Sequence, residues 1–244
     1  ARRRIVALLN KTTREVEQGE PLDQVAQQAA SVVDLAFHDQ AAPATVKAAF
    51  EQFERYQAGE AQGYLLTGFD VLDRYAPAPD ELVIVAARPS VGKTALAVAL
   101  AESMARRGVP VGFFSVEMAG EALHLRRLAA EARVPMADLR RCEGVQSEAQ
   151  WGRVTGAFDV LRRHPFHVQS GVLSLAGLLA GIRNMKARHG IQAAFVDHLG
   201  LLNLPREERR DLAVGTATRT LARTCKDLGL VVFLLSQLNR SREQ

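Results

Sequence analysis

The chain has only two cysteines, Cys142 and Cys225, in 244 residues. Two thiols cannot build a disulfide scaffold, and no cysteine or histidine lies around them at metal-ligand spacing. They read as free, buried or half-buried thiols of a cytoplasmic protein. Long apolar runs are missing too. The longest, Leu82–Ala87 and Leu228–Leu235, have the length of strands and fall far short of a bilayer span, so no membrane partner is expected. There is no charged-then-apolar start with a small-residue cleavage site, so no secretory signal is read. Blocks of five or more like charges are absent, and with them any basic tail. Lysine is scarce: Lys11, Lys47, Lys93, Lys186 and Lys226 stand among 31 basic residues. The net charge of +4 and a pI near 9.4 permit a polyanionic partner without pointing to one. Arginine pairs such as Arg106-Arg107, Arg126-Arg127 and Arg162-Arg163 are scattered along helical stretches. No aromatic residues interleave with them as a base-stacking platform requires. They read as solvated faces or ion pairs.

What is present is an ordinary globular composition, 48% hydrophobic and 24% charged, with no repeat or low-complexity segment. The length suits one large domain or one and a half small ones. The first third predicts helices. Arg3–Gln18 and a stretch opened by Pro21 form a hairpin, broken at Gly19-Glu20 and at Ala41-Ala42-Pro43. A third helix, about Thr45–Gln57, carries Val46, Ala49, Phe50, Phe53 and Tyr56 on one face, with no obvious partner inside the chain.

After Gly63 the pattern changes to apolar β runs alternating with helices. The runs are Leu82–Ala87, Pro110–Ser115, Gln192–Asp197 and Leu230–Ser236, with Phe166–Gln169 as a shorter one. The helices are Lys93–Arg107, Gly120–Arg133, Leu175–His189 and Arg209–Leu228. This alternation predicts an α/β fold: a mostly parallel sheet with helices on both faces and right-handed crossovers.

Ala87-Arg88-Pro89-Ser90-Val91-Gly92-Lys93-Thr94 follows the first strong strand and opens a helix. That is the setting of a phosphate-binding loop of the Walker A kind, with alanine at its first glycine position. Backbone N–H groups wrap the β-phosphate, so Gly92 must let the chain approach closely. Lys93 places a cation on the β- and γ-phosphates, and the Thr94 hydroxyl coordinates Mg²⁺. The helix beginning there aims its positive end at the phosphates. Ser90, Val91, Gly92, Lys93, Thr94 and Ala95 are the candidate nucleotide-binding residues, with Mg²⁺ beside the phosphates; the resemblance described below implies that the nucleotide is ATP.

Three further strands end in polar residues at the edge where doubly wound sheets bind ligands. Glu117 stands just past one, Asp197 ends another in a Walker B pattern, and Gln237 ends the last. Asp197 suits Mg²⁺ or its water shell, Glu117 suits orienting and deprotonating an attacking water, and Gln237 suits sensing a γ-phosphate. The catalytic candidates are thus Glu117, Lys93 and Gln237, and the metal candidates Thr94 and Asp197.

Together these residues resemble the DnaB-type replicative DNA helicases, which have a RecA-like ATPase core. The matching stretches are Thr67-Gly68-Phe69 with Leu72-Asp73, the loop Ala87–Thr94, Ser115-Val116-Glu117-Met118 followed by Arg126, and Ser236-Gln237-Leu238-Asn239-Arg240-Ser241. The family's own phosphate loop starts with alanine, as here. The resemblance implies three parts: residues 1–40 closing an N-terminal helical domain, 41–63 holding a linker helix, and 64–244 forming a RecA-like P-loop ATPase domain, incomplete at its C-terminus. It implies that the chain begins inside the first domain and stops before the family's DNA-contacting loop and arginine finger. It further implies a homo-hexameric ring, with the linker helix on a neighbouring subunit. ATP hydrolysis would pull single-stranded DNA through the ring, and a primase and a helicase loader would be partners. The sequence departs from the family at His198-Leu199-Gly200-Leu201, where Tyr-Leu-Gln-Leu is usual; Gly200 puts some coupling of site to DNA in doubt. It departs again at Tyr75–Asp80, shorter than the family's Gly-Gly turn, and at Val168-Gln169-Ser170, which lacks an acidic pair. Two other readings fit the residues: a RecA-like recombination or repair ATPase, and a nucleotide-binding assembly module that hydrolyses nothing.

Overall fold

The structure is a computed structural model that describes residues 46–59, 64–75, 78–141, 144–145, 147–171, 174–198 and 210–238. The expected hairpin within residues 1–37, Cys142, Leu199–Leu201 and Asn239–Ser241 lie outside the described residues. The chain divides into two units, residues 1–62 and 63–244.

In the first unit, α1 spans Val46–Gln57, a residue inside the expected bounds. Helical spacing lines up Val46, Phe50, Phe53 and Tyr56, and all four are exposed, with no residue of the helix buried.

The second unit runs α2 (Asp70–Asp73), β1 (Leu82–Ala87), α3 (Lys93–Arg106), β2 (Val111–Ser115), α4 (Gly120–Ala132), α5 (Met136–Arg140), α6 (Glu148–Leu161), β3 (Phe166–Ser170), α7 (Leu175–His189), β4 (Ala193–Asp197), α8 (Arg210–Leu228) and β5 (Val231–Gln237). The five strands form one parallel sheet in the order β1-β5-β4-β2-β3. All five predicted strands are present, each within a residue or two of its expected bounds. The helices α2, α5 and α6 are additional to the prediction.

Successive strand residues face opposite sides of a sheet, so each strand supplies two cores. Phe114, Val196, Val232 and Leu234 pack on Leu178 and Ile182 of α7 and on Leu221 and Cys225 of α8. Phe113, Phe195, Phe233 and Leu235 pack on Ala97, Leu100, Ala101 and Met104 of α3. On that side Phe113, Phe195 and Phe233 stand in register across three strands, their ring centres 5.9 and 4.5 Å apart and their planes nearly parallel. Offset stacking of this kind adds about 1 kcal/mol per pair beyond burial. It stiffens β2, β4 and β5, whose ends carry polar candidates. The Cys225 thiol is buried and free, and burial pushes its pKa up to about 11, so it is inert at neutral pH.

The stretch Thr67–Asp73 folds around one carboxylate. Asp73 Oδ1 accepts from the Thr67 N–H at 2.6 Å and from its hydroxyl at 2.5 Å, and Oδ2 accepts from the Gly68 N–H at 2.9 Å. Gly68 sits at φ +84°, a left-handed conformation that favours glycine, and the Arg107 guanidinium packs into the space a Cβ would take. Burial alone raises the Asp73 pKa. The hydrogen bonds from Thr67 and Gly68, with the Arg107 charge, outweigh it and hold the carboxyl below its ordinary value. A carboxyl that ionises more readily folded than unfolded stabilises the fold above its unfolded pKa, about 3.9. That contribution fades as pH falls through the lower, folded pKa. Asp73→Asn is therefore expected to melt lower at pH 7, and to lose part of the drop in Tm seen below about pH 4. Melting curves between neutral and acid pH check this; a wild-type profile in the variant would remove Asp73 from the account.

Candidate active site

The phosphate loop hangs between β1 and α3. Two left-handed residues curl it, Ser90 at φ +63° and Gly92 at φ +100°. The conformation at Ser90 costs about 1 kcal/mol for a residue with a Cβ. Gly92 caps α3, and the Leu96 N–H returns to its carbonyl at 2.9 Å. The loop's N–H groups and the positive end of α3 thus meet at one place.

Sheet register brings the other strand ends there. Gln237 of β5 stands opposite Ala87, the last residue of β1, and the Leu238 N–H donates to the Ala87 carbonyl at 3.1 Å. Ser115 of β2 stands opposite Asp197 of β4, and the Val116 N–H donates to the Asp197 carbonyl at 2.8 Å. The buried Ser115 hydroxyl accepts from the Met118 N–H at 3.0 Å, which fixes the turn presenting Glu117.

Asp197 is the centre of the polar contacts. Its side chain is 3% exposed. Oδ2 accepts from the Thr94 hydroxyl at 2.6 Å, and Oδ1 lies 3.9 Å from Lys93 Nζ. Oδ1 is buried and has no hydrogen-bond partner among the described residues. A buried carboxylate oxygen left short of partners beside a threonine hydroxyl fits a hard divalent cation. Two protein oxygens leave most of such a shell to phosphate oxygens and water. His198, next in sequence, is buried with Nδ1 unpartnered among the described residues. Its pKa is held below the ordinary histidine value by burial and then by the Lys93 charge, against the opposing pull of Asp197 and Glu117. At neutral pH its ring is uncharged.

These residues line a cleft of about 440 Å³. Of the sequence candidates, Ser90, Gly92, Lys93, Thr94, Ala95, Glu117, Asp197 and Gln237 are brought together there. Val91 does not line it, and its side chain is 70% exposed, so any part it plays belongs to its backbone. Four residues given no role from sequence join the wall: Arg88, Pro89, Arg126 and His198. Arg126 lies nine residues past Glu117, on α4. With Lys93, Arg88 and Arg126 against Glu117 and Asp197, the cleft carries a net +1, which favours an anionic ligand.

A family model for the DnaB-like helicase C-terminal domain matches residues 65–244. The chain belongs to this family. Relatives named replicative DNA helicase DnaB include one from Buchnera aphidicola subsp. Schizaphis graminum, 36% identical over 185 residues, covering 73% of this chain and 39% of the relative. Another, from Geobacillus stearothermophilus, is 34% identical over 192 residues, covering 76% of this chain and 42% of the relative. The chain therefore spans about two fifths of the length of these DnaB relatives. Among solved structures, a DnaB-like replicative helicase, described with its interactions with primase, superposes with a TM-score of 0.71 at 21% identity, covering 100% of this chain and 60% of that one. A second solved structure, an ATPase domain, gives 0.72 at 24% identity, covering 82% of this chain and 73% of that one. At these identities the likeness is one of fold: the parallel α/β sheet is RecA-like, as the DnaB resemblance implies.

Proposed function

We propose that this chain is the ATP-hydrolysing part of a DnaB-type replicative DNA helicase. The observation that carries the reading is the contact between loop and strand, Thr94 Oγ1 to Asp197 Oδ2 at 2.6 Å, inside a cleft that also gathers Lys93, Glu117 and Gln237. The loop N–H groups and Lys93 hold the β- and γ-phosphates of ATP. Thr94 and Asp197 hold Mg²⁺, which when bound neutralises phosphate charge and orients the γ-phosphoryl group. Glu117 accepts a proton from water as its oxygen attacks the γ-phosphorus. The bond from γ-phosphorus to the bridging oxygen breaks, its electrons leave with ADP, and inorganic phosphate is released. Gln237 hydrogen-bonds the γ-phosphate, and Arg126 adds a second positive contact to it.

Family membership supports the wider reading: a homo-hexameric ring that translocates on single-stranded DNA in the cytoplasm and meets a primase and a loader. It also supports the division into 1–40, a linker segment 41–63 and an ATPase domain from 64. The exposed apolar face of α1 suits a linker helix that docks on a neighbouring subunit. No helix among the described residues is long and apolar enough to cross a membrane.

The test is ATP turnover with Mg²⁺, with and without single-stranded DNA, beside Lys93→Ala. Turnover that DNA stimulates and Lys93→Ala abolishes is the expected result. Nucleotide binding with no turnover on any DNA would favour a non-hydrolysing assembly module. No nucleotide binding at all would overturn the reading.

A further inference from the structure

The helices α3 and α4 both reach the cleft, α3 with Lys93, Thr94 and Ala95 and α4 with Arg126. A groove of about 770 Å³ runs between them, lined by the small side chains Ala95, Ala99, Ala129 and Ala130. Two ion pairs cross it. Arg127 Nε donates to Glu102 Oε2 at 2.7 Å, and one turn further along both helices Arg106 pairs with Glu131. Each helix offers one acid and one base, in opposite order, so sliding α4 by one turn would bring like charges together. The inner rung is buried, Arg127 at 4% and Glu102 at 15% exposure. The Arg127 guanidinium lies 3.8 Å from the Phe166 ring centre, and the second Glu102 oxygen meets His164 Nδ1. The outer rung is more open, Arg106 at 55% and Glu131 at 19%. None of the four lines the nucleotide cleft. Arg126, next to Arg127, lines both cleft and groove.

We propose that this two-rung ladder positions Arg126. The pairs Glu102–Arg127 and Arg106–Glu131 lock α4 at one height along α3, the helix that begins with Lys93 and Thr94. Arg126 is thereby held at the phosphate end of the cleft. The four ladder residues are positioning residues, and the inference rests on the nucleotide reading above. It assigns discrimination of triphosphate from diphosphate to charge pairing outside the cleft.

The outer rung is the place to test it, because its exposure lets a reversed charge be tolerated. Calorimetric titration with Mg·ADP and with Mg²⁺ plus a non-hydrolysable ATP analogue gives the ratio of the two affinities. Arg126→Ala is expected to lose about tenfold of the preference for the triphosphate, the worth of one charge-assisted contact. Arg106→Glu and Glu131→Arg are each expected to lose about threefold, with ADP affinity unchanged. The double variant Arg106→Glu/Glu131→Arg should recover the wild-type ratio. A merely structural role would lower Tm or weaken both nucleotides alike, and thermal melts on the same samples separate the two. Single variants with the wild-type ratio, or a double variant as poor as the singles, overturn the ladder. So does a wild-type ratio in Arg126→Ala. If the wild-type chain binds neither nucleotide, it is the reading of the cleft itself that falls.

Discussion

Lys93→Ala is expected to weaken Mg·ATP binding by about a hundredfold or more. That is the effect of removing one preorganised cationic donor from a site shielded from water, about 3 kcal/mol. Shielding is the deciding factor here. The Lys93 side chain is only 12% exposed, and its ammonium lies 3.9 Å from Asp197, so it is already inside the cleft and not recruited from solvent. The loop N–H groups and the start of α3 remain in the variant, so some diphosphate affinity should survive. The fold should survive too, because the Thr94–Asp197 hydrogen bond does not depend on the lysine. Calorimetric titration with Mg·ATP is the measurement, with a melting curve as control. Wild-type affinity in a folded variant would take the phosphates away from this loop.

Glu117→Gln is expected to bind Mg·ATP within about twofold of wild type while turnover falls by about 10² to 10⁴. The change removes a proton acceptor and keeps the shape. Glu117 is exposed on a turn set by the Ser115 hydroxyl and the Met118 N–H, so the turn does not rely on its carboxylate. Steady-state phosphate release with Mg²⁺ is the readout. Full turnover would move the base elsewhere in the cleft. His198, uncharged with an unpartnered ring nitrogen among the described residues, would then be the group to replace next.

The sheet and its ends were legible because they obey short-range rules. An unbroken apolar run such as Leu230–Ser236 has few places to go except a buried parallel strand, and a polar residue at its end must emerge at the ligand edge. The helix α6 was hidden because Gly152 and Gly156 dilute its pattern, while Trp151 and Phe158 point to solvent. Only its start was written plainly, as a reciprocal cap between Ser147 and Gln150. The short α2 and α5 are each about one turn, too short for periodicity to register. Residues 64–75 showed a matching stretch without its reason; the reason is the Asp73 carboxylate gathering three donors, a matter of folded geometry. The resemblance marked Arg126 without giving it a role, and its place in the cleft and the ladder stayed hidden for a related cause. Arg126-Arg127 reads as a solvated pair, and nothing local tells that one side chain turns into a cleft and its neighbour goes under a phenyl ring. Glu102 and Arg127 are 25 positions apart, beyond the reach of any helical or strand period.

The edge position of β1 has a mechanical meaning. Among the described residues this strand is held by one neighbour, β5, and the phosphate loop is its continuation. The last tie between them is the Leu238 N–H on the Ala87 carbonyl, directly beneath the loop. Strain on the backbone at Leu238 would therefore reach the loop first through that bond, with the six-residue β1–β5 register behind it to share the load.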